Sequence, residues 1–154
     1  MANTVYESKE YDRLVRRKFK PYSLGHQKMY TKAIDAIKFD IADPRAERSE
    51  GVRIFEAGAG IGFGLTKMVE AGIVRSYTGC EPNRASYDYT AGIVAGMKPL
   101  HHIDLYHDSF DQSMADRLGQ FDEAFCIEGI EHVPMEQHLE FRIALRQMAP
   151  RLWF

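Results

Sequence analysis

A glycine-rich turn between residues 53 and 64 constrains the fold of this chain more than any other segment. A short apolar run ends in Glu56, and glycines then occupy the alternate positions Gly58, Gly60, Gly62 and Gly64. This pattern predicts a buried strand that enters a helix through a tight turn. Glycines let a ligand approach the backbone closely, and the start of the helix offers free N–H groups. The turn therefore predicts a binding site for an adenosine-containing cofactor, with Gly62 and Gly64 interpreted as packing and helix-entry glycines.

From Val52 onward, apolar strand-like runs alternate with helix-like segments. Strands are predicted over 52–56, 76–81, 103–107 and 121–127, and a fifth strand begins at Arg151. Helices are predicted over 62–72, from a cap at Asn83 to about Ala95, over 111–118 and over 135–148. Such alternation predicts an α/β fold: a doubly wound, mostly parallel Rossmann-like sheet of about five strands in a three-layer αβα arrangement. Ligands of these sheets bind at the carboxyl ends of the strands.

The N-terminal part of the chain is basic, although the whole chain has a net charge of −2. Residues 1–38 contain nine Lys/Arg and four Asp/Glu, and a helix is predicted over 26–38. We interpret 1–38 as a basic helical arm or lid and 39–154 as the cofactor-binding part of a single domain. The arm is either a solvated helix or a surface for an anionic substrate. The overall charge argues against a general nucleic-acid coat.

The cysteines and the hydropathy pattern indicate a cytoplasmic protein. Cys80 and Cys126 both fall in apolar strand-like runs, as expected of core residues in a reducing compartment. No signal peptide or membrane-spanning run is evident.

Acidic residues follow each of the first four predicted strands. Glu81 lies 23 positions after Gly58, near the place where dinucleotide folds put the acid that holds ribose hydroxyls. Asp108 is expected to accept a hydrogen bond from an adenine amino group, with Phe110 covering the ring, and Glu56 to hold an ammonium group. So many acids favour a cationic cofactor over a pyrophosphate, because residues 57–64 offer no compensating positive charge.

Together these segments resemble the class I S-adenosylmethionine-dependent methyltransferases over roughly residues 52–154. The resemblance lies in the glycine turn, in Glu81 and Asp108, and in the segment Ile130-Glu-His-Val-Pro134. It implies S-adenosylmethionine as cofactor, with its methionine part at the turn, its ribose at the acid after strand 2 and its adenine at the acid after strand 3. The cofactor-binding residues predicted on this basis are Glu56, Gly58, Ala59, Gly60, Glu81, Pro82, Asp108, Ser109 and Glu128.

The segment after strand 4 suggests the reaction. It contains neither the Asn/Asp-Pro-Pro-Tyr/Phe element of amino methyltransferases nor the Pro-Cys pair of C5-cytosine chemistry, so base-modifying DNA methylation is disfavoured. Glu128, Glu131 and His132 resemble a cluster in metal-dependent O-methyltransferases, of the ubiquinone-biosynthesis and small-RNA types. We expect His132 and Glu131 to be catalytic, acting on a small-molecule or RNA-terminal hydroxyl. The same three residues are the predicted ligands of a divalent metal, Mg²⁺ or Mn²⁺, and the alternative is a metal-free site in which His132 is a base or a structural residue.

The sequence ends in the first residues of the fifth strand, whereas the family's sheet usually has seven strands. We expect either a fragment, or a short form whose open edge at Leu152–Phe154 is covered by a second copy or another chain. A third possibility is a module that binds, sequesters or senses the cofactor without transferring a methyl group. A nicotinamide-dependent dehydrogenase is disfavoured because a Tyr-x-x-x-Lys pattern is missing.

Overall fold

The computed structural model describes residues 24–43, 50–97, 102–127 and 129–154. Its strands are β1 (Val52–Ala57), β2 (Val74–Cys80), β3 (His102–Tyr106), β4 (Glu123–Phe125) and β5 (Arg151–Trp153). Its helices are α1 (Leu24–Ile41), α2 (Phe63–Glu70), α3 (Arg84–Gly96), α4 (Gln112–Leu118) and α5 (His138–Met148). Two short 3₁₀ helices, Ile130–His132 and Met135–Gln137, connect β4 to α5.

The five strands form one parallel sheet in the order β3-β2-β1-β4-β5. The order reverses between β1 and β4, so the carboxyl ends of these two strands open the crevice where doubly wound sheets bind ligands. The predicted α/β class and the parallel sheet are thus confirmed. The fourth strand is shorter than predicted because the backbone N–H of Phe121 donates to the carbonyl of Met148, 2.7 Å away, instead of to a neighbouring strand.

Side-chain caps define where two helices begin. Asn83 accepts a hydrogen bond from the backbone N–H of Ser86 at 2.9 Å, which confirms the predicted cap of α3. Asp111 likewise accepts from the N–H of Met114 at 2.9 Å and starts α4. The helix predicted from residue 135 starts at His138 instead, because the Gln137 N–H closes a tighter turn onto the carbonyl of Pro134 at 2.8 Å.

Two apolar clusters fill the space on either side of the sheet. One joins α1, α2 and α3 to the sheet and includes the fully buried Ile37, Leu65 and Tyr77. The other joins α4 and α5 to the opposite face and includes Phe55 and Leu145. Burying a large apolar side chain contributes about 1.5–3 kcal/mol, so these clusters hold the three layers together. The three-layer αβα arrangement is thereby confirmed.

Helix α1 belongs to this packed core along much of its length. Ala33, Ile34 and Ile37 are buried in the first cluster, and the predicted boundary between residues 38 and 39 falls inside the helix. Most of the predicted basic arm, residues 1–23, lies outside the described residues. At the other end of α1, Asp40 is paired with Arg151 of β5.

Arg151 also links β5 to its neighbour strand. Its Nε donates to Glu123 of β4 at 3.1 Å, and the indole N–H of Trp153 donates to the same carboxylate at 2.9 Å. Glu123 is completely buried. This arrangement, which we call the Arg151 junction, ties α1, β4 and β5 together.

Both cysteines are buried, unpaired core residues, as expected from the sequence. Burial raises the pKa of the Cys126 thiol to about 12. Among the described residues, none of the helices combines the length and the apolar character needed to cross a bilayer.

Candidate cofactor site

The glycine turn after β1 is held in a shape that exposes its backbone. Gly58 and Gly60 have φ angles of 76° and 56°, which favour glycine. The N–H groups of Gly58 and Ala59 both donate to the carbonyl of Cys80, each at 2.9 Å, and so fix the turn to the end of β2. A Cβ atom built on Gly58 would meet nothing within 4 Å. The backbone at Gly58 therefore faces open space that a ligand can fill.

The last two glycines of the motif serve packing instead. A Cβ atom on Gly62 would lie 3.0 Å from the Thr90 side chain, and one on Gly64 would lie 2.6 Å from the Glu56 carboxylate. These contacts let α2 begin close to α1 and α3. The interpretation of Gly62 and Gly64 as packing and helix-entry glycines is confirmed.

Glu81, at the end of β2, is joined to the turn by its carboxylate. One oxygen accepts the N–H of Gly60 and the other accepts the N–H of Asn83, both at 2.8 Å. Glu81 is almost completely buried, and this burial raises the pKa of its carboxyl to about 7, although both hydrogen bonds oppose the shift. A carboxylate oxygen can accept more than one hydrogen bond, so both oxygens retain acceptor capacity for ligand hydroxyls.

A cavity of about 290 Å³ opens at the carboxyl ends of β1 and β4. This volume is near the lower end of the usual range for small-molecule sites, about 300–1,000 Å³. The predicted residues Gly58, Pro82, Ser109 and His132 all line the cavity. It is completed by residues from the ends of β1 and β4, the start of α4 and the start of α5: Ala57, Phe110, Asp111, Gln112, Ser113, Cys126, Gly129, Val133, Pro134, Gln137, Glu140 and Phe141.

Phe110 forms a rigid part of the cavity wall. Its ring lies 5.1 Å from the ring of Phe55 and 5.1 Å from the ring of Phe141, measured between centroids. Such aromatic pairs fix a side chain in one orientation. Phe110 therefore offers a stable apolar surface beside Ser109.

The predicted residues Ala59, Gly60 and Glu81 do not line the cavity, and two others also lie outside it. Asp108 is exposed, accepts the N–H of Ser109 at 2.8 Å and does not line the cavity. Glu131 is exposed as well, whereas His132, its neighbour in the 3₁₀ helix, is half-buried at the wall. The structure thus brings His132, but not Glu131, to the cavity.

The predicted metal site is incomplete in the structure because Glu128 lies outside the described residues. Among those that are described, no group of three or more His, Cys, Asp or Glu side chains is placed to hold a metal ion. The set Glu128, Glu131 and His132 stays a prediction.

Glu56 lies beneath the glycine turn and not in the cavity. It is 1% exposed, and its two carboxylate oxygens accept hydrogen bonds from the Tyr30 and Tyr77 hydroxyls, the latter at 2.5 Å. Burial raises the pKa of the Glu56 carboxyl to about 7, while the two phenol bonds oppose the shift. A direct bond between Glu56 and a cofactor ammonium, as expected from the sequence, stays a prediction.

Several of these contacts left little trace in the sequence. Tyr30 sits at a helical spacing from Ala33 and Ile34 that indicates only a core position. Gln137, Glu140 and Phe141 fall in the predicted helix over 135–148, and nothing in its sequence marks them as site residues. They form the far wall of the cavity.

Solved structures with a similar architecture include two that were determined with S-adenosylmethionine or S-adenosylhomocysteine bound. The magnesium protoporphyrin IX methyltransferase of Synechocystis, solved with bound S-adenosylmethionine, is 17% identical, with a TM-score of 0.65 over 97% of this chain and 72% of that one. A mycolic acid cyclopropane synthase solved with S-adenosylhomocysteine is 17% identical, with a TM-score of 0.66 over 94% and 50%. The sugar N-methyltransferase of a Streptoalloteichus species is 15% identical, with a TM-score of 0.56 over 90% and 49%.

At these identities the similarity establishes the fold alone, which this chain shares with two methyltransferases and a cyclopropane synthase. The chain spans about seven tenths of the first of these proteins and about half of the other two. No protein-family model matches the sequence, and no curated protein matches it.

Proposed function

We propose that this protein is an S-adenosylmethionine-dependent methyltransferase. The observation that carries the proposal is the pairing of two features across one turn. The backbone of Gly58 faces open space, and two residues later Gly60 is bonded to the buried carboxylate of Glu81. An adenosine cofactor needs such a close backbone approach for its chain and such an acceptor for its ribose diol.

The remaining parts of the cofactor follow from this placement. The methionine part would lie over Gly58 and the adenine between Ser109 and Phe110, all of which line the cavity. The ribose would lie beside Pro82 and reach the buried carboxylate of Glu81 behind the wall. Asp108 is exposed and precedes the cavity residue Ser109, and we assign it the adenine amino group as its partner. When bound, S-adenosylmethionine supplies a methyl group on a sulfonium, which is already an activated leaving group.

The protein's own contribution would be positioning and proton removal. Holding an acceptor in line with the methyl group accounts for roughly 7–11 kcal/mol in well-oriented systems. His132 is the residue at the cavity wall best suited to accept the proton of a hydroxyl. We therefore infer O-methylation, with His132 as the base and Glu131 as its exposed neighbour. In the alternative mechanism, Glu128, Glu131 and His132 would hold a divalent metal, and this cation would lower the pKa of the acceptor hydroxyl.

The charge of the cavity favours a small-molecule acceptor over RNA. Asp111 and Glu140 line the cavity, and Glu131 and Glu136 are exposed beside it. A polyanion would be repelled by these carboxylates. The similar solved proteins are named for porphyrin, lipid and sugar chemistry, which agrees with a small organic acceptor.

Calorimetry and a transfer assay test this proposal together. Purified protein should bind S-adenosylmethionine, and Glu81→Gln should weaken binding by at least about tenfold, because charged hydrogen bonds to the ribose are lost. Methyl transfer to a library of small hydroxyl compounds should fall in His132→Ala while binding is kept. Loss of activity with chelator, restored by Mg²⁺ or Mn²⁺, would support the metal-dependent mechanism. If the protein does not bind the cofactor, the proposal is wrong.

The second candidate is a module that binds S-adenosylmethionine without transferring its methyl group. It is favoured by the position of Glu131, which is exposed and does not line the cavity. In this case binding depends on Glu81 but not on His132, and no acceptor is methylated.

We also propose that the free edge of β5 is covered by a second copy of the chain or by another protein. In the described sheet β5 pairs only with β4, and Leu152, Trp153 and Phe154 are all half-buried there. An apolar strand edge readily adds another strand.

A further inference from the structure

A buried carboxylate that has no basic partner among the described residues lies directly under the glycine turn. Glu56 is the second-last residue of β1, just before the turn, and its Oε1 would lie 2.6 Å from a Cβ on Gly64, where α2 has begun. It therefore packs against both ends of the turn. Its two hydrogen-bond donors come from other elements, Tyr30 from α1 and Tyr77 from β2.

The chemistry of these donors leaves the charge of Glu56 uncompensated. A phenol donates a hydrogen bond but carries no positive charge, whereas a lysine or arginine would neutralise the carboxylate. In the part of the chain that the structure describes, the ionisable groups that face Glu56 are Tyr30, Tyr77, Glu81 and Cys126. These four groups are neutral or acidic. An ionised Glu56 thus retains a full negative charge beneath the cofactor site.

We propose that Glu56, held by Tyr30 and Tyr77, is a buried counter-charge that lets the glycine turn favour a sulfonium cofactor over its uncharged thioether product. This inference rests on the proposed function. S-Adenosylmethionine carries a positive sulfur, and S-adenosylhomocysteine, which remains after methyl transfer, has lost that charge. A negative charge under the turn therefore stabilises the donor more than the product. Such a preference would speed the exchange of spent product for fresh donor.

Tyr30 and Tyr77 would act as positioning residues that hold the Glu56 carboxylate under the turn. Each hydrogen bond favours the carboxylate over the neutral acid, and so opposes the effect of burial. Because the pKa of Glu56 is about 7, the carboxyl is close to half ionised at neutral pH, and a nearby cation shifts that balance. When the donor binds, the proton of a neutral Glu56 is released to the buffer.

The test compares the two ligands on the unmodified protein by calorimetry in buffers of different ionisation enthalpy. If the sulfonium lowers the Glu56 pKa by one unit, the affinity ratio of donor to product rises about fivefold between pH 6 and pH 8. Glu81 also titrates near neutral pH and bonds to the same turn, so its share of the pH dependence is the part that remains in Glu56→Gln. An affinity ratio that is independent of pH would overturn the proposal.

Variants test whether the pH dependence of the affinity ratio comes from Glu56 and its donors Tyr30 and Tyr77. Glu56→Gln should make the ratio nearly constant with pH, and it also corrects for the titration of the ligand's own amino group. Tyr30→Phe and Tyr77→Phe keep the rings but remove one donor each, so the pH dependence should move to higher pH. Tyr89→Phe, on the exposed side of α3, is the matched control. If the two phenols only pack, their variants will follow the wild-type curve and the positioning role is wrong.

The result separates this inference from the proposed function. Binding of both ligands with the same pH dependence in wild type and Glu56→Gln would refute the counter-charge and leave the methyltransferase proposal standing. Failure of both ligands to bind would refute both. Circular dichroism of each variant identifies one that does not fold, and in that case the wild-type ratio alone decides.

Discussion

Gly58 and Gly72 are a matched pair of glycines, and only Gly58 lies at the proposed cofactor site. Both have positive φ angles, 76° and 71°, and a Cβ atom on either would meet nothing within 4 Å. Gly58 faces the cavity, whereas Gly72 lies in the turn between α2 and β2, away from the cavity-lining residues. An alanine at either site should therefore strain the backbone equally, and its Cβ atom should clash with no neighbouring atom.

The two alanine variants should therefore be equally destabilised but differ in cofactor binding. A non-glycine residue in the left-handed region costs about 1–2 kcal/mol. For a domain of this size, 1 kcal/mol lowers the Tm by about 2–4 °C, so each variant should lose roughly 2–8 °C. Gly58→Ala also places a methyl group in the space assigned to the cofactor, and it should weaken S-adenosylmethionine binding by at least about tenfold.

Differential scanning fluorimetry and calorimetry on both variants supply the measurement. Equal losses of Tm with binding reduced only in Gly58→Ala support the site. If Gly58→Ala binds the cofactor as well as Gly72→Ala does, the open space at Gly58 is not where the ligand lies, and the placement of the cofactor is refuted.

Three further outcomes are expected. Burial raises the folded-state pKa of Glu81 to about 7 from its ordinary 4.5. As the pH rises from about 4.5 to 7, wild type should therefore lose up to about 3 kcal/mol of stability relative to Glu81→Gln, with no further change above pH 7. If the urea midpoints of the two proteins change equally over that pH range, the burial of the charge is contradicted. His132→Ala should lower methyl transfer by about 10²-fold or more with cofactor affinity kept, as measured by single-turnover assays, and unchanged turnover would exclude His132 as the base. If a second copy covers the edge of β5, sedimentation should show an oligomer that Leu152→Lys dissociates, and a monomeric wild type would exclude the second copy as the cover.

Much of the fold follows from local patterns in the sequence. Alternating apolar runs and helical periodicities identified all five strands, and Asn83 marked the start of α3. Spacing along the chain also placed Glu81 beside the glycine turn, because each strand of a parallel sheet delivers its last residue to the same edge. These features depend on neighbours in sequence or on a regular topology.

The parts that escaped prediction depend on contacts between distant segments. The environment of Glu56 is set by Tyr30 and Tyr77, which lie 26 and 21 residues away in α1 and β2. Burial made Glu56 a core residue, although its position after an apolar strand suggested a ligand contact. The exposure of Glu131 depends on the 3₁₀ helix that follows β4, and a single turn of this kind has no periodicity to detect.

The Arg151 junction has a consequence for how the molecule assembles. Arg151 joins Glu123 of β4 to Asp40 of α1, two partners separated by most of the described chain. Such long-range contacts close a long loop, and the entropy cost of that closure makes them slow to form. The first described helix and the last strand should therefore dock in the same step, and hydrogen exchange should protect Trp153 and Ile37 together. A ligand, a protease or a mutation that loosens α1 would then also destabilise β5, at the outer edge of the sheet and far from the cavity.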